Sequence, residues 1–296
     1  MLSGLTSRAL LWLACACLAG AAPAQAQELE SIAVINPALD ASQLQGEARG
    51  LNPETVKLIK LRIEDVLKGS RRFNVFERDS AILEASALME QNFAQSSRAL
   101  SDAAAFGKMN NVTYIVAPIV TSLKLDRVIE RGAAGGPFVS VTSGEAVLTL
   151  KVIDTASGAI KYQKTETYVS LDRKSLTVMA PPDYGDVWLR LLQQTGTEAG
   201  LYVFDSIFPI QIVQLHGAEA ILNRGDNGGL DLNAPLSLFS IGDAVLDPKT
   251  GVNLGKVERK IGACKLVSIS ERMSLSKLAL DGSQTAKIGD VCRRAK

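Results

Sequence analysis

The chain has 296 residues, 47% of them hydrophobic, which is enough for one large or two ordinary domains with a sizeable core. Its 32 basic and 31 acidic side chains nearly cancel, and no basic block interrupts it, so the electrostatic footprint of a nucleic-acid binder is missing. One histidine and four cysteines leave few ligands for a metal and a single imidazole for acid–base work.

Met1 to Ala26 carries one basic residue, Arg8, then an apolar run from Ala9 to Ala22 and the tripeptide Ala24-Gln25-Ala26. That is the pattern of a secretory signal peptide (1–26) with cleavage before Gln27. The apolar run is short for a membrane span of about 20 residues and ends in small residues and Pro23. Cys15 and Cys17 lie within it, but neither follows the Leu-small-small triplet of a lipidated cysteine, so a soluble export product is favoured over a lipoprotein. Export removes Arg8 and no acid, giving a mature charge of 31 − 31 = 0. Cys264 and Cys292 remain, in a compartment that permits disulfides, and are expected to pair.

Ser31 to Asn36 reads as a short strand stopped by Pro37, and Ala38 to Gly50 as a polar loop. Asn52-Pro53-Glu54 starts a helix with a cap, a proline at the first position and an acid in the first turn. Val56, Ile59, Ile63 and Val66 keep one face of it apolar down to Gly69, read as the residue after the helix end. Arg72 to Glu77 is a β-favouring run, followed by a cap at Asp79 or Ser80 and a helix burying Ile82, Leu83 and Met89. A strand followed at once by a helix begins an α/β layer. Asp102 to Met109 reads as a short helix and Val112 to Ala117 as a buried strand, with a half-wet strand from Ser122 to Arg131. Gly132 to Pro137 breaks the chain; Phe138 to Asp154 alternates as a strand, Asp154 to Gly158 is a hairpin turn, and Ile160 to Leu171 returns. Pro181-Pro182-Asp183 ends this meander, and Val187, Leu191, Leu192, Thr195, Ala199 and Tyr202 continue a helical period toward Phe208.

At Pro209 the pattern changes to short strand-like runs: Ile210 to Leu215, Ala220 to Leu222, Leu236 to Ser240, Leu254 to Lys260, Cys264 to Ser270, Ser276 to Leu280 and Ala286 to Cys292. Many short strands at close spacing predict a small β-barrel or sandwich. The boundary falls near Asp205 to Pro209, dividing the mature chain into 27–205 and 206–296.

Candidate chemistry is sparse. His216 stands at a strand end before Gly217 and reads as a turn residue, not as the base of a catalytic triad. Zinc is disfavoured because the mature chain offers only Cys264, Cys292 and His216 as its soft ligands. Asp226 to Asp231 mixes acids with glycine, but its twelfth position is Ser237 where a calcium loop needs Glu, so it reads as a solvated turn. Gly132 to Gly136 lacks the order of a phosphate cradle. Glu77, Arg78 and Asp79 read as a cap with a local ion pair, and Trp188 as a core contact. No catalytic, cofactor or metal residue is expected.

The run Arg72-Phe73-Asn74-Val75-Phe76-Glu77-Arg78, the Leu83-Glu84 helix and the strand Asn111 to Ile119 resemble the family of the curli secretion component CsgG. Asn111-Val112-Thr113 departs from that family's Ala-Asp before Tyr114, and Pro118 stands close to its usual Gly. Thr149 to Gly158 is similar to the family's hairpin. The C-terminal part, through Leu222-Asn223-Arg224-Gly225, Gly228-Gly229-Leu230, Asp247 to Gly251, Leu254-Gly255 and Ile288 to Val291, resembles the C-terminal domain of the flagellar assembly protein FlgT, an SH3-like barrel. The resemblance implies an α+β protein, a CsgG/TolB-N-like α/β domain followed by an SH3-like barrel. It further implies a non-enzymatic periplasmic scaffold for a flagellar ring or curli-like secretion system, with other envelope or ring proteins and copies of itself as partners and with peripheral outer-membrane association. The alternative is a regulatory module that activates a cell-wall synthase.

Overall fold

The computed structural model describes residues 29–76, 112–131, 136–176 and 184–295. The expected signal peptide with Cys15 and Cys17, the helix expected from Asp79 or Ser80, the one expected over Asp102 to Met109, and Pro181-Pro182-Asp183 lie outside the described residues.

Strand β1 (Glu30–Val34) pairs in parallel with both β3 (Phe73–Phe76) and β4 (Tyr114–Arg131). Antiparallel pairing then adds β5 (Phe138–Asp154) and β6 (Ile160–Leu176), giving the order β3-β1-β4-β5-β6. The two stretches read separately as Val112 to Ala117 and Ser122 to Arg131 are one strand, β4, bulged between Val120 and Ser122. The loop expected over Ala38 to Gly50 contains β2 (Leu44–Gly46), which runs beside β4 beyond the end of β1, with Leu44 opposite Leu123. Its apolar anchors are Leu44 and Ala48, too few to stand out in a polar stretch.

Parallel β1 and β3 require a crossover, supplied by helix α1 (Lys57–Gly69). Asn52 accepts the Glu54 N–H at 3.0 Å and Pro53 opens a 3-10 turn that leads into the helix. Gly69 is the last helical residue; the left-handed conformation falls on Arg71, at φ 54°. The Ser70 hydroxyl bonds the Leu67 carbonyl at 2.6 Å, and the Ser70 N–H bonds the Val66 carbonyl, so the helix end is satisfied without a glycine.

Helix α2 (Gly185–Ile207) lies beside α1, both on one face of the sheet. Their approach depends on Gly196 and Gly200: a Cβ at Gly196 would stand 2.6 Å from the Ile59 carbonyl oxygen, and one at Gly200 2.8 Å from the Val66 Cβ. Ile59 and Ile63 of α1, Leu191 and Leu192 of α2, and Leu123 and Leu148 of the sheet are buried together. The Trp188 indole N–H donates to the Thr55 hydroxyl at 2.8 Å, pinning α2 to the start of α1. On the reverse face Ala33, Ile35, Ile115, Ala117 and Ile153 form a second buried cluster, as alternation along buried strands requires.

After Phe208 the chain enters a closed barrel: β7 (Ile210–His216), β8 (Glu219–Leu222), β9 (Leu236–Leu246), β10 (Asn253–Ile269), β11 (Ser274–Leu280) and β12 (Val291–Arg294). Its order is β10-β11-β8-β7-β12-β9. The architecture is therefore mixed α and β, few helices with many strands, consistent with the α+β class. Leu254 to Lys260 and Cys264 to Ser270, read as two strands, are the single strand β10. Between them Gly262 (φ 156°) bends the chain, and a Cβ there would meet the Ala279 carbonyl oxygen at 2.1 Å. The last strand is shorter than Ala286 to Cys292 suggested, because Asp290 accepts the N–H groups of Lys287 and Ile241 and closes a turn before Val291. Cys264 and Cys292 are joined as a disulfide, with Cα atoms 6.8 Å apart. They sit on β10 and β12, which flank β9. Next-nearest strands of a flat sheet stand about 9.5 Å apart, so barrel curvature is what brings these cysteines within bonding reach.

Candidate functional site

Three features stand out: a buried charged joint between α2 and the barrel, two clefts beside that joint, and a projecting arm. In the joint, Asp205 from the last turn of α2 faces Arg224, which follows β8, and Arg294 of β12. Arg224 is only 3% exposed. Its guanidinium lies 3.5 Å from the centroid of the Phe204 ring, donates to the Phe208 carbonyl, and stands 3.1 Å from an Asp205 oxygen in an ion pair not aligned as a hydrogen bond. Arg294 donates to the other Asp205 oxygen at 2.9 Å and to the Gly228 and Gly229 carbonyls at 2.9 and 2.8 Å. Burial pushes the Arg224 guanidinium down to about 10 against the pull of Asp205, so it remains charged at neutral pH. Beside the guanidinium, Phe204 packs edge to face on both Phe73 and Phe208, and Phe73 and Phe208 are tilted against each other.

The glycines around Arg224 have a steric reason. A Cβ at Gly228 would stand 1.9 Å from the Arg224 side chain, and one at Gly225 2.0 Å from the Ser270 carbonyl oxygen. Sequence reasoning passed over Asp205, Arg224 and Arg294 as functional or structural anchors. The only local signal is an arginine set among Gly225, Gly228 and Gly229, which leave room for a side chain lying flat against backbone.

The larger cleft, about 620 Å³, separates β6 and α2 from the barrel and is lined among others by Glu166, Tyr168, Glu198, Tyr202, Asp231 and Arg293. The Lys164 ammonium lies 4.7 Å from the Tyr202 ring centroid. Burial, with the Glu198 and Glu166 charges behind it, raises the Tyr168 hydroxyl, which stays neutral. The smaller cleft, about 250 Å³, lies on the other side of Phe204 and Phe208 and carries Arg71, Arg72, Arg224 and Arg272.

The projecting arm is formed by the outer halves of β9 and β10. From Gly242 to Lys260 every residue except Asp247 is exposed. Val245, Leu246, Val252, Leu254 and Val257 are 41%, 59%, 57%, 63% and 54% exposed. At the tip the Asp247 carboxylate accepts the N–H groups of Lys249 and Thr250 at 2.7 and 3.0 Å, and Gly251 turns the chain at φ 69°. These bonds hold the Asp247 carboxyl below its ordinary value.

His216 is exposed at the end of β7, before the turn at Gly217, and lines neither cleft. Asp226 to Gly228 form a single 3-10 turn, and the cation met by the carbonyls of Gly228 and Gly229 is the Arg294 guanidinium. Among the described residues no three side chains of His, Cys, Asp and Glu converge as a metal set. Glu77, Arg78 and Asp79 and residues 132–135 lie outside the described residues. Among the described residues no helix is long and apolar enough to cross a membrane.

No family model matches the chain, and no curated protein matches it. Among solved structures it is similar to a hypothetical protein of Chlamydia trachomatis, at 14% identity and a TM-score of 0.37, over 59% of this chain and 98% of that one. It is also similar to a lipoprotein of Neisseria meningitidis, at 13% identity and a TM-score of 0.25, over 57% and 98% of the two chains. A minor lipoprotein of Acinetobacter baumannii matches at 8% identity and a TM-score of 0.27, over 60% and 91%. Likenesses this distant assign no function.

Proposed function

We propose that the protein is a non-enzymatic scaffold of the periplasm, a CsgG/TolB-N-like α/β domain with an SH3-like barrel, that joins an envelope-spanning assembly by docking other envelope proteins on the barrel arm. The arm is the observation that carries this reading. A two-stranded hairpin alone is marginal in water, and five exposed Val and Leu side chains on one hairpin favour a covered state. The arm's base is anchored where Arg293 of β12 donates to Glu258 at 2.8 Å, so the apolar tip is presented on a fixed support. The signal-peptide pattern of residues 1–26 and the Cys264–Cys292 disulfide agree with an oxidising compartment. Neutral mature charge gives weak steering, so recognition rests on shape and apolar contact.

The test is a photocrosslinking residue at Leu254 in living cells, with identification of the captured protein, alongside the variant L246D/L254D. Capture of a ring or secretion component, lost in the variant while thermal unfolding is unchanged, is the expected result. Capture of a cell-wall synthase overturns the scaffold reading in favour of a regulatory one. Full rescue of a deletion strain by the variant removes the arm from function.

A further inference from the structure

We propose that the smaller cleft is a binding site for a phosphate group, independent of the docking arm. Residues from five places in the chain meet there: Leu29 before β1, Arg71 and Arg72 after α1, Phe204 and Phe208 at the end of α2, Asn223, Arg224 and Asn227 after β8, and Arg272 before β11. Among the described residues lining it there is no carboxylate.

The charges are not balanced. Arg71 pairs with Glu271, and Arg224 shares Asp205 with Arg294. Arg72 has the face of Phe208 as its side-chain contact, 5.9 Å from the ring centroid, and Arg272 has no ion-pair partner among the described residues. Four arginines line the cleft against Glu271 and Asp205, an excess of 4 − 2 = 2 positive charges in a chain whose total is near neutral. The charges of Arg294 and Arg72 both act to lower the affinity of Arg224 for its proton, which places them within each other's field. Like charges held together cost free energy unless an anion joins them.

Backbone geometry supports the same place. Arg71, at φ 54°, has the single positive φ outside glycine among the described residues, although Gly69 stands two positions earlier. A bulky residue held in the left-handed region is uncommon. Here the conformation turns Arg71 to Glu271 and brings Arg72 beside Phe208.

Size and shape narrow the ligand. At about 250 Å³ the cleft is smaller than the roughly 300–1,000 Å³ of cofactor pockets, which suits a phosphate with a short substituent. Guanidinium forks from several directions fit a tetrahedral oxyanion better than a planar carboxylate. Leu29, Phe204 and Phe208 supply an apolar wall for the carbon attached to it. Two sources carry that chemistry, a soluble phosphate ester and the headgroup of an acidic phospholipid.

The mature protein would be titrated with inorganic phosphate, followed by calorimetry or by the amide signals of Arg71, Arg72 and Arg272. It would also be sedimented with vesicles of phosphatidylcholine, with and without phosphatidic acid. The variant R72A/R272A removes only the uncompensated charges and should unfold like wild type. Saturable phosphate binding, weakened at least tenfold in the variant and not matched by acetate, is the expected result. Vesicle binding that needs phosphatidic acid and is lost in the variant identifies the lipid as the source; phosphate binding without vesicle binding identifies a soluble ester. Absence of saturable binding in both arms, equal binding by the variant, or equal affinity for acetate overturns the proposal.

Discussion

Replacing Arg224 with methionine removes one partner of the buried joint while keeping much of its bulk. Breaking a buried ion pair from one side costs about 3–5 kcal/mol, because the remaining charge is left uncompensated. Here Asp205 keeps Arg294 at 2.9 Å, so the lower end applies, about 3 kcal/mol. The Phe208 carbonyl also loses its donor, and the Phe204 ring the cation 3.5 Å from its centroid. With a urea slope of about 2–3 kcal/mol per molar, the midpoint should fall by about 1 M. The reporter is Trp188, buried where α2 meets the start of α1, read together with far-ultraviolet circular dichroism. Arg224→Lys should fall between wild type and methionine, since an ammonium keeps the charge but cannot fork to both Asp205 and the Phe208 carbonyl. In a cycle with Asp205→Asn the two losses should be strongly non-additive. A midpoint shift below about 0.2 M for the methionine variant would refute the view that this pair secures the helix to the barrel.

Gly196→Ala should destabilise by about 1–2 kcal/mol, because overpacking against the Ile59 backbone outweighs a helix-propensity gain of about 1 kcal/mol. Gly69→Ala meets nothing within 4 Å and should be neutral or stabilising; if chemical denaturation gives both changes the same sign, the close helix approach is not what Gly196 serves. Removing the disulfide as C264A/C292A opens a closure of 28 residues, worth about 3.5 kcal/mol in the chain-entropy view. A loss under about 1 kcal/mol in oxidised against variant protein would contradict that account.

What could be read from the sequence was whatever depends on near neighbours. The strand Phe138–Asp154 was legible to the residue because its alternation runs unbroken between a glycine-rich break and an Asp-to-Gly turn. That turn is local chemistry: Asp154 accepts the Ser157 N–H at 2.9 Å, and Gly158 takes φ 72°. The helical faces of Ile59 and Ile63 and of Leu191 and Leu192 follow from a 3.6-residue period. The cysteine pair followed from there being two candidates in a chain read as exported, but its reach across β9 depends on barrel curvature. Other features belong to the tertiary structure alone. Leu254 to Lys260 and Cys264 to Ser270 read as two strands, and only the folded chain shows Gly262 between them lying against the Ala279 carbonyl; Gly69 reads as a helix stop, whereas Ser70 satisfies the last carbonyls. The charged joint was hidden because Asp205, Arg224 and Arg294 are up to 89 positions apart, and an arginine reads as a surface residue unless a distant acid and an aromatic ring are known to meet it. Periodicity records which side of an element is buried; which charge is buried with which partner depends on how the elements close on one another, and that is decided only when the chain folds.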